Sequence, residues 1–383
     1  MIKPIQYEAV NWVDGMKISQ KHLETQTNFI LDGLRDVRAS MNPVFSYGLL
    51  PLVTINQAVG SFDSFVTITG DMELALQKCN AITPSGCRVE LANFRFNLKP
   101  LIPRLDEALQ NQRRTYYLII TINPFDKIPH GTIDVEENPP RYPYVKASCQ
   151  LEFIPVSVFD RNESNNRGDY VIIGKVTIVG EELEQEDTYI PPCSSVLSHP
   201  VLLSQYNRTA QLIPSLKKYA LKILQKEINT QQNAKLAKHV KMLCQTIIHD
   251  IGTVYFHFRN VVPHLPPLYF IGCFSQIAAH LHQVTQTLSP PDLEELLNYI
   301  SEWSEIAPHT FLHQLTNVAE IRYQHLDCET PIQDIQTMLC CLEKIFLRLN
   351  ELDYIGQRKE NIIVNEVEVT PMSKSNRGWS VLD

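Results

Sequence analysis

Two histidines four residues apart, His309 and His313, have the spacing in this sequence that best suits metal chemistry. On a helix, that spacing places both imidazoles on one face, where they can bind the same ion. A zinc protease would also need glutamate at position 310, and Thr310 stands there. His280 and His282 are two apart and fall on different helical faces. Neither pair has a third ligand at a matching spacing, so the pattern favours exposed or hydrogen-bonded histidines over a metal site.

The nearest approach to a phosphate-binding loop is the segment from Gly168 to Val176, which reads GDYVIIGKV. Its spacer is one residue too long for the P-loop pattern, and Val176 replaces the hydroxyl that would bind magnesium. The interior Tyr-Val-Ile-Ile is typical of a β-strand rather than an anion-binding loop. The sequence therefore predicts no nucleotide cofactor.

Nucleophilic catalysis has no better candidate. The Gly-x-Ser-x-Gly motif of serine hydrolases is absent from the chain. Cys340 and Cys341 lie within a helical apolar pattern, which favours core burial over reactivity. Acidic residues occur mostly in surface-like runs. The sequence therefore predicts a protein that is not an enzyme, with no catalytic residues, no metal and no cofactor.

Charge and cysteine usage restrict the class of protein further. The net charge is −8, from 34 basic and 42 acidic residues, which argues against nucleic acid as the main partner. Nine cysteines without a Cys-x-x-Cys pair indicate reduced, mostly buried thiols. No signal peptide and no apolar run long enough to span a membrane are visible. We expect a cytoplasmic protein that is not membrane-embedded.

A β-rich region precedes a helical one. Between residues 44 and 180, short β-branched and aromatic runs such as TYYLIITI (115–122) alternate with turn residues, which predicts seven to nine antiparallel strands in a sandwich or barrel. From Val201 the apolar residues recur at helical spacing, which predicts a bundle of five or six helices. Pro214 should end or kink the first of them. NPPRYPY (138–144) is predicted to be an exposed loop.

We therefore predict an α+β multidomain chain with three parts. An N-terminal antiparallel β-sandwich with a leading helix occupies residues 1–187, an α-helical bundle occupies 188–352, and a short C-terminal segment occupies 353–383. The C-terminal segment contains the alternating run NIIVNEVEVTP (361–371) and the isolated Trp379. A proline-rich stretch, TYIPPCSSVLSHP, joins the first two parts.

The most specific stretch lies near the N-terminus. Trp12 stands beside the turn dipeptide Asp14-Gly15, and Ser19 is placed to cap a helix. Apolar or small residues then recur at intervals of four and three, at Leu23, Thr27, Ile30, Leu34 and Val37. Such a narrow stripe packs against another helix, of the same chain or of another subunit; a helix that merely covers one end of the β-domain is the alternative. Trp12 and Met16 suit an anchoring pocket.

These residues resemble the N-terminal signature of the TssK family, the trimeric baseplate proteins of bacterial type VI secretion systems. Trp12, Asp14, Gly15, Met16, Ile18, His22 and Leu23 match the pattern. Gln20-Lys21 departs from the usual Pro-Gln, and Leu23 stands where Phe is common. Tyr189-Ile190-Pro191-Pro192 resembles the family's joint between shell and helical domains, and the segment 265–281 resembles a region of its helical domain.

The resemblance implies a non-catalytic homotrimer that links the baseplate wedge, made of TssF and TssG, to the envelope-spanning membrane complex. It places the assembled protein at the inner face of the inner membrane. The residues expected to contact partners are Trp12, Asp14, Gly15, Met16 and His22, with Trp379 on the envelope side. His22 could equally be a structural histidine.

The short C-terminal segment departs from the family, whose members usually continue into a compact C-terminal domain. The envelope contact would then be made by a reduced tail or to a different partner. Two other interpretations remain open: a phage-like receptor-binding or tail-adaptor protein, and a metal-dependent enzyme that uses His309 and His313.

Overall fold

The computed structural model describes residues 3–51, 62–66, 72–97, 114–159, 169–179, 182–227 and 234–359. Trp379 and the alternating run 361–371 lie outside these ranges, so the predictions made for them stay predictions. The division of the chain at residues 187 and 352 also stays a prediction.

Two four-stranded antiparallel sheets form the N-terminal half of the described chain. The first contains β1 (Gly48–Leu49), β2 (Phe62–Val66), β3 (Met72–Ile82) and β4 (Arg88–Asn97), with β3 paired to all three others. The second has the order β6 (Tyr144–Pro155), β5 (Arg114–His130), β7 (Tyr170–Val179) and β8 (Glu182–Gln185). The predicted antiparallel β-region is confirmed.

The alternation of side chains along β5 gives this sheet two buried faces. Leu118 and Ile120 belong to the main core, which they share with residues of the first sheet such as Leu74 and Val89. Tyr117 and Ile119 point the other way, into a second cluster with Ile172 and Tyr189. Because successive strand residues face opposite sides, one strand connects the sandwich core to the region where the helices begin.

The helical half contains α3 (Pro200–Gln225), α4 (Ala234–Asn260), α5 (Pro267–Gln286), α6 (Pro290–Ser304), α7 (Pro308–Ala319) and α8 (Glu329–Glu351). The predicted apolar stripes of these helices face the core. On α8 the buried positions include Ile332, Ile335, Met338, Leu342, Ile345, Phe346 and Leu349. Burial of each such side chain contributes about 1.5 to 3 kcal/mol, so the bundle is held mainly by apolar contact.

One local expectation needs correction. Of the two outcomes expected at Pro214, the helix does not end there: α3 continues through the proline, and Ile213 and Leu216 are buried on either side of it. That burial offsets the cost of the missing backbone donor. The strand β4 (Arg88–Asn97) continues through Asn93, which has a φ of +50°. Directly after β6, the chain forms a short helix, α2 (Val156–Phe159).

At the joint between the sheets and the helices, the contacts are made by backbone groups and by the side chain of one tyrosine. Leu49 of β1 forms a parallel bridge with Cys193, and Gly48 lies so close that a Cβ there would be 2.0 Å from the Pro192 carbonyl oxygen. Tyr189 packs against β5, and its hydroxyl donates a 3.3 Å hydrogen bond to the carbonyl of Leu326. The joint segment is therefore bonded to both halves.

Candidate functional site

The leading helix, α1 (Gln20–Met41), is held by the extended residues that precede it. These run back along the helix: the Val10 N–H donates to the side chain of Gln26, and the N–H groups of Gln6 and Tyr7 donate to the Asp32 carboxylate. These hydrogen bonds attach the N-terminal segment to α1.

A buried ion pair lies at the centre of this attachment. Arg35 donates to Asp32 at 2.9 and 2.7 Å, and the two side chains are 4% and 0% exposed. Arg35 also donates to the carbonyl oxygens of Lys3 and Pro4. Burial alone would raise the pKa of Asp32, but the hydrogen bonds from Gln6, Arg35 and Tyr7 lower it overall. The face of α1 that touches the protein is thus charged and hydrogen-bonded.

The opposite face of α1 is apolar and exposed. Its residues are Leu23, Ile30, Leu34, Val37 and Met41, with exposed fractions of 57%, 52%, 54%, 54% and 77%. Thr27 lies between them, and its hydroxyl donates to the Leu23 carbonyl within the helix. We call these six residues, Leu23, Thr27, Ile30, Leu34, Val37 and Met41, the α1 seam. On this helix the polar face is buried and the apolar face is exposed. The predicted stripe therefore does not pack against any part of the chain that the structure describes.

Trp12 lies at the N-terminal end of α1. Its ring meets the ring of His22 edge-on at a centroid distance of 6.2 Å, and the side chain is 46% exposed. Ser19 is the N-cap residue, as predicted, and its backbone N–H donates to Nδ1 of His22 at 3.3 Å. In a capping box this acceptor is normally Glu or Gln at the third helical position. His22 therefore supports both the helix start and Trp12.

Asp14 and Gly15 form the turn that separates Trp12 from the helix. Gly15 has a φ of +77°, and the Met16 N–H donates to the Val13 carbonyl at 3.1 Å. A positive φ at the third position of a turn is the reason for glycine there. Asp14 is exposed and Met16 is half-buried. The structure thus brings Trp12, Asp14, Gly15, Met16 and His22 together at one end of α1.

The turn between β3 and β4 fits under the helix. Gly86 has a φ of +90°, and a Cβ there would lie 2.6 Å from the Arg35 carbonyl oxygen and 2.9 Å from the Ala39 nitrogen. Beside it, Asp169 accepts hydrogen bonds from Ser85 and from Cys87 and is paired with Lys3 at 2.5 Å. These contacts attach α1 and the N-terminal segment to both sheets.

A second apolar surface lies on the hairpin of β5 and β6. The exposed residues here include Ile133, Val135, Tyr142, Tyr144 and Val145. The predicted proline-rich loop 138–144 is exposed here, as expected. Lys127 on this hairpin donates to Asn28 of α1 at 2.8 Å. The hairpin and α1 are therefore neighbours on one side of the sandwich.

The histidine pairs form no metal centre among the described residues, where no group of three or more potential ligands is close enough together. His309 and His313 are exposed on α7, opposite the buried Phe311 and Leu315. His280 contacts the buried Asp250 on α4 at 3.0 Å.

The two adjacent cysteines differ in their surroundings. Cys340 is exposed, whereas burial raises the pKa of the Cys341 thiol to about 11.

An open cleft of about 1250 Å³ lies between the sandwich and the helices. Tyr189 and His325 line it, together with Lys175, which pairs with Glu186 at 3.1 Å and lies over the Tyr189 ring. Burial lowers the pKa of His325 to about 4, while its hydrogen bond with the Tyr47 carbonyl acts in the opposite direction. Tyr189 and His325 hydrogen-bond across the joint, to the carbonyl groups of Leu326 and Tyr47, so these two side chains connect the two halves.

The two residues that bury the polar side of α1 were not identified from the sequence. Asp32 and Arg35 are three apart, opposite the apolar stripe, and that spacing signals an intrahelical ion pair. The spacing does not show that this polar side of the helix is buried, because its burial depends on backbone N–H donors from the N-terminal segment.

Among the described residues, no helix combines the length and apolar character needed to cross a membrane.

Comparison with known proteins places the fold. No family model matches the sequence, and no curated protein matches it significantly. The crystal structure of TssK matches with a TM-score of 0.51 at 14% identity, over 88% of this chain and 69% of that one. TssK from the EAEC type VI secretion system, bound to nanobody nb18, matches with a TM-score of 0.48 at 13% identity, over 83% and 69%.

A chain in the TssK–TssF–TssG baseplate subcomplex, solved by cryo-electron microscopy, matches with a TM-score of 0.43 at 11% identity. The match covers 91% of this chain and all of that one. The first of these similarities shows that the chain has a TssK-like fold, as the N-terminal motif implied.

Proposed function

We propose that this protein is a baseplate component of a type VI secretion system, a TssK-like adaptor without catalytic activity. The observation that carries the proposal is the TssK-like fold, which extends over 88% of the chain at a TM-score of 0.51. The matching N-terminal residues, from Trp12 to Leu23, support it independently, because their pattern is a property of the sequence and does not depend on the fold.

The adaptor would have a contact at each end. The sandwich end presents Trp12 and Met16, which we assign to the baseplate wedge formed by TssF and TssG. The described chain ends at Lys359, after Arg358 has paired with Glu302 and Glu295 of α6. Because α8 begins at the joint and rises about 1.5 Å per residue, this end lies at the far side of the helices.

From that far end we propose the contact with the envelope complex, through residues 353–383 and Trp379. The assembled protein would then lie in the cytoplasm at the inner face of the inner membrane. We further propose that it is a homotrimer, since threefold repetition of a weak contact raises the overall binding strength without new contact types.

The test is a pull-down of TssF and TssG, from the same gene cluster, on the full chain and on the variant Trp12→Ala/Met16→Ala. We expect the double variant to lose at least about tenfold in affinity, the size of effect typical of buried aromatic anchors. Failure of the unaltered chain to bind the wedge at micromolar concentration would contradict the proposed function.

A His22→Glu variant separates a partner role from a structural one. Glutamate restores the usual capping box with Ser19 and preserves the helix start, but it removes the imidazole. Unchanged wedge binding would assign His22 to local architecture. Undiminished binding by the Trp12→Ala/Met16→Ala variant, with normal binding by the unaltered chain, would exclude this segment and leave the proposed function standing.

A further inference from the structure

The charge of this chain is unevenly distributed. Residues 214–241, at the end of α3 and the start of α4, hold seven of the 34 basic residues and one of the 42 acidic ones. This segment therefore has a net charge of +6, and the rest of the chain carries −14. A strongly basic segment in an acidic protein indicates a surface for a partner of opposite charge.

The basic segment lies at the end of the bundle that is farthest from the sandwich. α3 begins beside the joint, and its 26 residues rise about 39 Å. At its far end, Lys226 donates to the carbonyl oxygens of Leu349 and Asn350 of α8, at 3.4 and 2.6 Å. Lys241 donates to the Leu224 carbonyl at 3.1 Å. These two lysines thus satisfy the carbonyl groups at helix ends and have a structural role.

The other five lysines of the segment are exposed. We call them the tip lysines: Lys217, Lys218, Lys222, Lys235 and Lys238. Lys235 pairs with Asp292 at 2.6 Å, but its side chain is still 68% exposed. The other four form no hydrogen bond and no ion pair with any residue that the structure describes. Their positive charges are therefore left for a partner outside the chain.

The tip lysines occupy positions that do not favour helix stability. Lys235 and Lys238 lie in the first two turns of α4, where the helix dipole disfavours positive charge, and the first turn has no acidic residue. Lys218 and Lys222 are four residues apart on α3, so their like charges repel each other. Local choices that oppose the fold are expected mainly at functional sites.

We propose that the tip lysines bind the anionic headgroups of a phospholipid bilayer. The inference rests on the proposed function, which places this end of the protein toward the inner membrane, and it adds the bilayer surface itself to the envelope contact. The ammonium groups would pair with headgroup phosphates. Each lysine that reaches an anionic surface strengthens binding about fivefold.

The composition of the segment favours a lipid surface over an acidic protein. Residues 214–241 contain no arginine, tryptophan or phenylalanine, and Tyr219 is half-buried. The segment therefore lacks the exposed aromatic and arginine side chains that usually anchor a protein interface. Lysine is a hydrated point charge on a flexible stem, which suits a fluid layer of headgroups that has no fixed geometry.

The shape of the charge distribution favours a bilayer over a nucleic acid. A long duplex would extend past the tip lysines toward the remainder of the chain, whose net charge of −14 repels it. A flat bilayer can meet the end of the bundle alone. The acidic remainder would then point away from the anionic surface, which orients the molecule with the sandwich farthest from the bilayer.

Flotation of the full chain with vesicles tests the contact. One set of vesicles contains equal parts of phosphatidylglycerol and phosphatidylcholine, and the other contains phosphatidylcholine alone. We expect the protein to float with the first set only, at about 0.1 M salt, and to be released at about 1 M, where the Debye length falls to about 3 Å. No flotation with the anionic set, equal flotation with both sets, or binding that persists at high salt would overturn the proposal.

A matched pair of double variants tests the location. Lys222→Glu/Lys238→Glu should lower binding to the anionic vesicles at least about tenfold. Arg208→Glu/Arg259→Glu changes the net charge equally on the same two helices, but about 20 to 30 Å nearer the joint, and should stay within about twofold. All four residues are exposed, so circular dichroism should be unchanged. Equal losses in both variants would show that net charge, and not the tip lysines, controls binding.

The wedge pull-down separates this inference from the proposed function. Lys222→Glu/Lys238→Glu should bind TssF and TssG as the unaltered chain does, because the wedge contact is assigned to the sandwich end. If the unaltered chain binds the wedge but not the anionic vesicles, the lipid contact is wrong and the adaptor role stands. If it binds the vesicles through the tip lysines but not the wedge, the adaptor role is wrong and the lipid contact stands.

Discussion

At the scale of single residues, the Asp32–Arg35 pair determines which face of α1 is buried against the rest of the protein. An apolar stripe normally points to the core, yet here the side opposite the stripe is bound. The carboxylate of Asp32 accepts two backbone N–H groups and the guanidinium, and Arg35 reaches two carbonyl oxygens of the N-terminal segment. This network satisfies nearly every group of the pair, which is the condition under which a buried ion pair is tolerated.

Asp32→Ala should lower the free energy of unfolding by about 3 kcal/mol, because it leaves Arg35 buried without its partner and two backbone donors without an acceptor. Urea unfolding at one fixed protein concentration measures the change. Glu24→Ala is the control: this carboxylate is exposed on the same helix, and its removal should cost less than about 0.5 kcal/mol. Equal stabilities for the two variants would show that the pair does not hold α1.

At the scale of elements, α1 and the β3–β4 turn depend on close contact between their backbones. Gly86 supplies a positive φ and leaves room for the helix, which no residue with a Cβ would do. Thr83-Pro84-Ser85-Gly86 has the composition of a turn, but only the structure shows that a helix about 50 residues earlier in the chain rests on it.

Gly86→Ala should destabilise the protein by about 1 to 3 kcal/mol, because the new methyl group meets the α1 backbone and the φ is unfavourable. Thermal unfolding followed by circular dichroism measures this. Gly252→Ala, in α4 with nothing within 4 Å of its added Cβ, should instead raise stability by about 0.5 to 1 kcal/mol. A stabilising Gly86→Ala would contradict the close contact.

At the scale of the whole molecule, His325 joins the two halves. It lies in the bundle region just before α8, its Nε2 is 2.9 Å from the Tyr47 carbonyl oxygen of the sandwich side, and its Nδ1 is 2.7 Å from the Tyr323 hydroxyl. Burial lowers the pKa of His199 also to about 4. Both imidazoles are therefore neutral in the folded protein at neutral pH.

Folding should weaken on acidification. Between the folded pKa of about 4 for His325 and the unfolded value of about 6.5, the unfolded chain binds more protons, so stability falls as the pH drops through this window. Each histidine should cost about 2 kcal/mol by pH 5. His325→Gln should remove roughly half of the combined loss of stability that the two histidines cause between pH 7 and pH 5, as measured by urea titration at both pH values. An unchanged pH dependence would exclude His325 as a source.

The sequence predicts some features of this molecule well and others poorly, for physical reasons. The bundle is readable because stripes such as Leu236, Val240 and Leu243 are determined by local helical spacing. The cap at Ser19 is equally local. The orientation of α1 is not, because a stripe records only that some apolar partner exists. Whether that partner lies in the same chain or outside it depends on long-range contacts, which here are the hydrogen bonds from distant backbone N–H groups to Asp32.

The bridge at Leu49 also determines how the molecule would carry load. Its N–H donates to the Pro192 carbonyl and its own carbonyl accepts from the Ser194 N–H, both at 2.8 Å. Because the two bonds flank one residue side by side, tension along the strand strains both at once instead of breaking them in succession. A displacement applied at one end of the molecule would therefore be transmitted through this bridge to the other end.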